Sequence, residues 1–94
     1  MDSIVSFEGC LDSSYGESIL EKVNGLFENG VVNLVADFKG LRDVSSTGLG
    51  ILLHISRTAR EKGGHFKIAN VNENVYEIIE IIGATTLLDI NDDA

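Results

Sequence analysis

The chain has 94 residues, with 15 acidic against 7 basic side chains, a net charge of −8 and 44% apolar residues. That length builds one hydrophobic core and not two, and the negative balance repels phosphate backbones and anionic lipid, so direct nucleic-acid binding and membrane insertion are not expected. Cys10 is the single cysteine and has no internal disulfide partner, no basic-then-apolar opening marks a secretion signal, and every apolar run falls short of the roughly 20 residues that span a bilayer, which together predict a cytoplasmic protein.

Ile4 to Gly9 alternates, with Ile4 and Ser6 on one face and Val5 and Phe7 on the other, and reads as a short strand. Gly9-Cys10-Leu11-Asp12 leaves the sheet, and Ser14 with Glu17 has the spacing of a capping box. The helix that follows would bury Ile19, Leu20, Val23, Leu26 and Phe27 and end at Gly30. Val31 to Phe38 is apolar enough for a strand covered on part of both faces, between layers, and Phe66 to Val71 is the next such run. A helix over Gly48 to Lys62 lies between them, so the unit is strand, helix, strand with parallel pairing and a right-handed crossover.

That central helix is apolar over more than half its circumference. Leu49, Leu52, Leu53 and Ala59 mark one side, and Ile51 and Ile55 reach round toward the other, so either neighbouring helices or a partner must cover the surplus. Gly63-Gly64 ends it. Asn72 can cap a third helix with Val75, Ile78, Ile79 and Ile82 on its buried face and Gly83 closing it, and Leu87 to Ile90 suits a last short strand. The order β-α-β-α-β-α-β predicts an α/β sandwich, a mostly parallel four-stranded sheet with helices packed against it.

Chemistry concentrates in Asp43-Val44-Ser45-Ser46-Thr47-Gly48-Leu49-Gly50, where strand passes into helix. Ser46 and Thr47 fall at or just before the first helical turn, where unpaired N–H groups and the positive end of the dipole favour an anionic group such as a phosphate on Ser46. One of the three hydroxyls could equally be an N-cap, worth about 1 kcal/mol. A cap needs only one of them, however, and no Glu or Gln stands three residues on to complete a capping box. Gly48 and Gly50 each cost a helix about 1 kcal/mol relative to alanine, so something approaches that turn closely or the backbone bends there. Ligands of open α/β sheets also gather beyond the carboxyl ends of the strands, where this turn lies.

Known catalytic motifs do not fit. Leu53 stands where a dinucleotide fingerprint wants its third glycine, and no Gly-Lys-Ser/Thr follows, which excludes nucleotide binding. Ser46 lacks a Gly-x-Ser-x-Gly elbow and His54 projects from the polar side of its helix. His65, Cys10 and the acids lack metal-ligand spacing, so the histidines read as surface residues and Cys10 as a small buried one. Arg42 and Asp43 read as solvated turn residues. The chain lacks the parts of an enzyme.

Taken together, Ser45-Ser46-Thr47-Gly48-Leu49-Gly50, the helix end Gly63-Gly64, Ile68-Ala69-Asn70-Val71 and Leu87-Leu88-Asp89-Ile90 resemble the STAS domain, specifically the single-domain anti-sigma factor antagonists of bacteria. Phe7-Glu8-Gly9-Cys10-Leu11-Asp12 is similar to the family's Gly-x-Leu-Asp. The resemblance makes residues 1–94 a single domain, with the usual first strand missing or reduced to Met1 to Ser3 and the usual C-terminal helix absent.

It implies that Ser46 is the serine phosphorylated by a partner kinase and that Asp12 is an acidic residue near it. Thr47, Gly48 and Leu49 match the helix start that touches the partner. Ser45 stands where many members have Asp. The implied partner is an anti-sigma factor that is also a serine kinase, bound by the unphosphorylated chain with Ser45, Ile51 and Ile55 widening the contact, and the sigma factor is then released. Phosphorylation of Ser46 would end binding and a phosphatase would restore it. ATP and Mg²⁺ would belong to the kinase, the chain would need no cofactor, and it would be a monomer when free. Asp12 reads equally as a cap before the first helix. The alternative is a permanent STAS adaptor, on the cytoplasmic ATPase of a lipid transporter or in a stress-sensing scaffold, using the same helix face without phosphorylation.

Overall fold

Strands and helices alternate along the chain. A computed structural model describes residues 2–81 and 89–91. In it β1 (Asp2–Leu11), α1 (Ser13–Glu28), β2 (Asn33–Val44), α2 (Ser46–Glu61), β3 (His65–Ala69) and α3 (Glu73–Ile81) follow one another, and the three-residue β4 (Asp89–Asn91) lies against β3. All pairings among the described residues are parallel, and the strands sit in the sheet in their sequence order. Each crossover therefore steps the same way, and right-handed crossovers put all three helices on one face of the sheet.

That arrangement divides the residues of β2. Leu34, Ala36 and Phe38 are buried toward the helices, while Val35 and Asp37 are half-buried on the opposite face beside exposed Ser6 and Lys67 and Ile4, which is 71% exposed. The expectation of a strand between two layers is corrected here: only one face of the sheet is covered by the described helices, and the other carries mixed polar and apolar side chains. The core runs from Phe7 and Phe38, edge to face at 4.9 Å, through Leu34, Leu52, Ile55 and Ile68 to Val75 and Ile79. Tyr15 of α1 packs its ring against Phe7 and its hydroxyl accepts the Glu8 N–H at 3.0 Å, covering part of the free edge of β1.

Two boundaries differ from the sequence reading and matter for the site. β1 spans ten residues rather than Ile4 to Gly9, and β2 continues past Phe38 to Val44. The extension carries two bulges: Ser6 pairs with Asp37 but Glu8 with Gly40, and Gly9 pairs with Leu41 but Cys10 with Asp43. Each inserts one residue on β2 and keeps Leu41 and Val44 pointing into the core at a spacing of three instead of two. Arg42 and Asp43, expected in a turn, lie exposed on this bulged strand. β3 ends at Ala69 rather than Val71. Asn72 caps α3 as expected, its Oδ1 accepting the Val75 N–H at 2.9 Å. Ile82, Gly83, Leu87 and Leu88 lie outside the described residues.

Candidate functional site

The carboxyl ends of β1 and β2 are neighbours, Leu11 pairing with Val44. One residue beyond that pair each strand turns into its helix, so the N-termini of α1 and α2 stand side by side at the same end of the sheet. Asp12 is the cap of α1, its Oδ1 accepting the Tyr15 N–H at 2.9 Å, in place of the expected capping box of Ser14 and Glu17. The cap reading of Asp12 is therefore the one seen in the fold, and its carboxylate is exposed beside the serine turn.

The three neighbouring hydroxyls are not equivalent. Ser45 is the N-cap of α2: its Oγ accepts the Gly48 N–H at 3.0 Å and donates to the Leu11 carbonyl at 3.1 Å, while its own N–H donates to the same carbonyl at 2.9 Å. The cap and the tie to β1 both use this one side chain. Ser46 and Thr47, the first two residues of α2, are exposed, and among the described residues neither hydroxyl has a hydrogen-bond partner. No acidic side chain occupies the first turn of α2. The positive end of this helix thus meets solvent at Ser46 with no acidic side chain in its own first turn.

Gly48 explains itself by what lies against it. A Cβ there would strike the Leu11 carbonyl oxygen and approach the Leu11 side chain to 2.9 Å, so the close approach inferred from the glycine comes from the chain's own β1. Gly50 differs, being exposed, with no atom within 4 Å of where its Cβ would stand. Gly16 of α1 makes room for the Ile51 side chain, which seals α1 against α2.

Of the residues expected to meet a partner, the fold leaves Asp12 and Thr47 exposed and Ser45 partly so. Ile55 is corrected, at 0% exposure a core residue on the sheet side of α2, and Leu49 and Gly48 are likewise buried. Ile51 is half-buried against α1, so neighbouring elements cover the apolar surplus of α2. Cys10, expected in the core, is exposed near the end of β1. His54 is exposed and His65 half-buried.

A feature missed from the sequence holds the serine turn in place. Because β3 stops opposite Asp37 while β2 runs on to Val44, the later residues of β2 are paired with β1 on one side and have no strand on the β3 side. Three alternating asparagines take over: Asn70 donates to the Asp37 carboxylate at 3.0 Å, Asn72 to the Leu41 carbonyl at 2.7 Å and Asn74 to the Arg42 carbonyl at 2.9 Å. Asn70 adopts φ 60° to do so, a left-handed conformation that asparagine tolerates. Its amide, with the Lys39 N–H second, holds the Asp37 carboxyl below the ordinary aspartate range. The spacing Asn-x-Asn-x-Asn was the only sequence signal for this brace.

Among the described residues no helix is long and apolar enough to cross a membrane, and no cluster of three or more His, Cys, Asp or Glu could hold a metal. In sequence the chain is 24% identical to an anti-sigma F factor antagonist of Paenibacillus polymyxa over 90 residues, which are 95% of this chain and 77% of that protein. In structure it is similar to the Thermotoga maritima protein TM1081, with a TM-score of 0.88 and 17% identity over 97% of this chain and 79% of the other. It is also similar to the anti-sigma factor antagonist SpoIIAA, with a TM-score of 0.76 and 20% identity for the unphosphorylated form, over 97% of this chain and 79% of that one. The phosphorylated form of the same Bacillus protein gives 0.74 at 19% identity, over 98% and 84%. At such identities the structural likeness speaks for the fold, but the family model described as STAS domain matches residues 2–93, nearly the full length. An α/β fold with a parallel sheet, three helices on it and the serine turn at its carboxyl end is thus the fold of a family, and this chain belongs to the STAS domain family.

Proposed function

We propose that the chain is an anti-sigma factor antagonist switched by phosphorylation of Ser46. The observation that carries this reading is the division of labour in the serine pair: Ser45 is bonded inward as a cap, and Ser46 presents an exposed hydroxyl at a helix start without acidic neighbours in its first turn. The relative from Paenibacillus polymyxa, an anti-sigma F factor antagonist, supports the same role. Unphosphorylated, the chain binds an anti-sigma factor that is also a serine kinase through the surface around Asp12, Ser46 and Thr47, and the sigma factor is released.

The kinase brings ATP and Mg²⁺ and transfers the γ-phosphoryl group to the Ser46 oxygen, which gives up its proton. The phosphate adds about −1.5 to −2 charges at the helix start, where the dipole stabilises an anion by about 0.3–1 kcal/mol, so the fold is kept. Within a docked surface the same charge loses its water without a matching partner, which costs several kcal/mol of binding. A phosphatase resets the chain.

Incubation with the purified anti-sigma factor kinases of the source organism, ATP and Mg²⁺, followed by mass spectrometry of the Arg42–Arg57 region, tests the reading. One phosphate on Ser46, absent from Ser46→Ala, is expected. A phosphate on no residue, or undiminished kinase binding by Ser46→Asp, refutes the switch.

A further inference from the structure

The end of β2 that leads into the serine turn pairs irregularly with β1, and the second irregularity lies nearest the turn. There Gly9 pairs with Leu41 and Cys10 with Asp43, so Arg42 is an extra residue with no partner on β1. Carbonyls of consecutive strand residues ordinarily point to opposite edges of the strand. Here those of Leu41 and Arg42 are both met from the start of α3, by Asn72 at 2.7 Å and by Asn74 at 2.9 Å. The bulge thus offers both carbonyls to α3, and the two asparagines satisfy them.

This bulge decides how the serines are presented. Strict alternation would put Leu41 and Val44 on opposite faces of the sheet, yet both are buried. The extra residue returns Val44 to the core, and Ser45, next in line, then reaches the Leu11 carbonyl with both its N–H and its Oγ. Ser46 follows on the exposed side. A slip of one residue would exchange inward and outward positions, and with them the two serines. Asn72 is fitted to hold this joint from both sides. Its Oδ1 accepts the Val75 N–H at 2.9 Å, which caps α3, while its Nδ2 donates to Leu41. A carboxylate could cap but could not donate. Asn70 differs, since it bonds the Asp37 side chain at a position where β3 still lies alongside β2.

From this we infer that Asn72 and Asn74 are positioning residues for phosphoryl transfer to Ser46, acting through the Arg42 bulge. The inference rests on the reading of Ser46 as the switched residue and names what holds that residue in register. The asparagines act through the backbone: they keep the bulge from sliding, and the bulge keeps Ser45 inward and Ser46 outward. A kinase then meets one hydroxyl in one place. Displacement of a reacting group by about 1 Å can cost on the order of 100-fold in rate. Loosening this joint therefore lowers turnover before it unmakes the fold.

The test measures kcat and KM of the anti-sigma factor kinase that modifies Ser46, with ATP and Mg²⁺, on the parent chain, Asn72→Asp, Asn74→Ala and the control Asn70→Gly. The control loses its side-chain bond and keeps the left-handed backbone of that position. Asn72→Asp retains the cap of α3 and lacks only the donor. It is expected to lower kcat about tenfold with KM within about threefold of the parent, and Asn74→Ala to lower kcat about threefold. Hydrogen exchange at the Ser45 and Gly48 N–H groups, whose bonds hold the turn, quickens in these two variants and stays within about twofold of the parent in Asn70→Gly. Phosphate spreading to Ser45 or Thr47 in Asn72→Asp supports the same role. Urea midpoints supply the comparison a structural role would obey. If kcat falls in step with the midpoint in all three variants, or stays at the parent value in Asn72→Asp, positioning is refuted and the switch stands. A parent chain that no such kinase phosphorylates removes the switch and this role with it.

Discussion

The N-termini of α1 and α2 stand side by side at the same end of the sheet, yet they are finished differently. α1 is capped by a carboxylate, that of Asp12, so the positive end of its dipole is already offset. α2 is capped by a neutral hydroxyl, that of Ser45, whose Oγ also ties the turn to the Leu11 carbonyl. The next residue, Ser46, is left exposed with no acid in the first turn. Two helix starts of the same fold thus differ in whether an anion is built in or left to be added. Under the proposed function the reversible chemistry belongs at α2, and α1 keeps a permanent cap.

The largest expected effect tests that contrast directly. Ser46→Asp should lower affinity for the anti-sigma factor kinase by about 100-fold, or about 2.7 kcal/mol, with the urea midpoint unchanged. Ser13→Asp puts the same charge on the first residue of α1 and should leave binding within about threefold, since that helix start already carries an acid. Equal losses from the two variants would show that net charge, and not the α2 start, governs docking.

Gly48 and Gly50 sharpen the comparison within α2 itself. Gly48→Ala drives a methyl group into the Leu11 carbonyl and should cost about 1–3 kcal/mol in urea unfolding, because backbone on both sides must shift. Gly50→Ala meets open space and should be neutral or stabilise by up to about 1 kcal/mol through helix propensity. A smaller loss from Gly48→Ala than from Gly50→Ala would contradict the packing of β1 against this turn.

The caps come next in size. Ser45→Ala removes both the cap and a tie between strands and should cost about 1–2 kcal/mol; Asp12→Ala removes a cap alone and should cost about 1 kcal/mol. Ser45→Asp keeps a capping oxygen but cannot donate to Leu11, so it should fall between the parent and Ser45→Ala.

The smallest effect is that of acid on the asparagine brace. The folded pKa of Asp37 lies below its ordinary 3.8, so its bonds to Asn70 and Lys39 contribute fully above that value. The contribution is lost as pH falls from about 4 through the lower folded pKa, the unfolded chain taking up the proton first. Urea midpoints of Asp37→Asn should therefore fall less steeply than those of the parent below pH 4. Identical slopes would show that the brace carries no linkage to protonation.

The amino-acid order alone determined where regular structure forms and where the serine turn falls. Alternation in β1, the spacing of Ile19, Val23 and Phe27, the cap at Asn72 and the glycines after α1 and α2 are local effects, written within a few residues of where they act. Only the assembled fold decided which hydroxyl is committed and which of the candidate residues are exposed. Ser45 and Ser46 are alike in sequence and are told apart by a carbonyl 34 positions earlier, at Leu11. Ile55 reads as a free apolar flank until β3 and the rest of the core close over it. The bulges that carry β2 past Phe38 break its alternation, and the asparagines that brace it act across the sheet. In each case the deciding contact joins residues far apart along the chain, which no local pattern records.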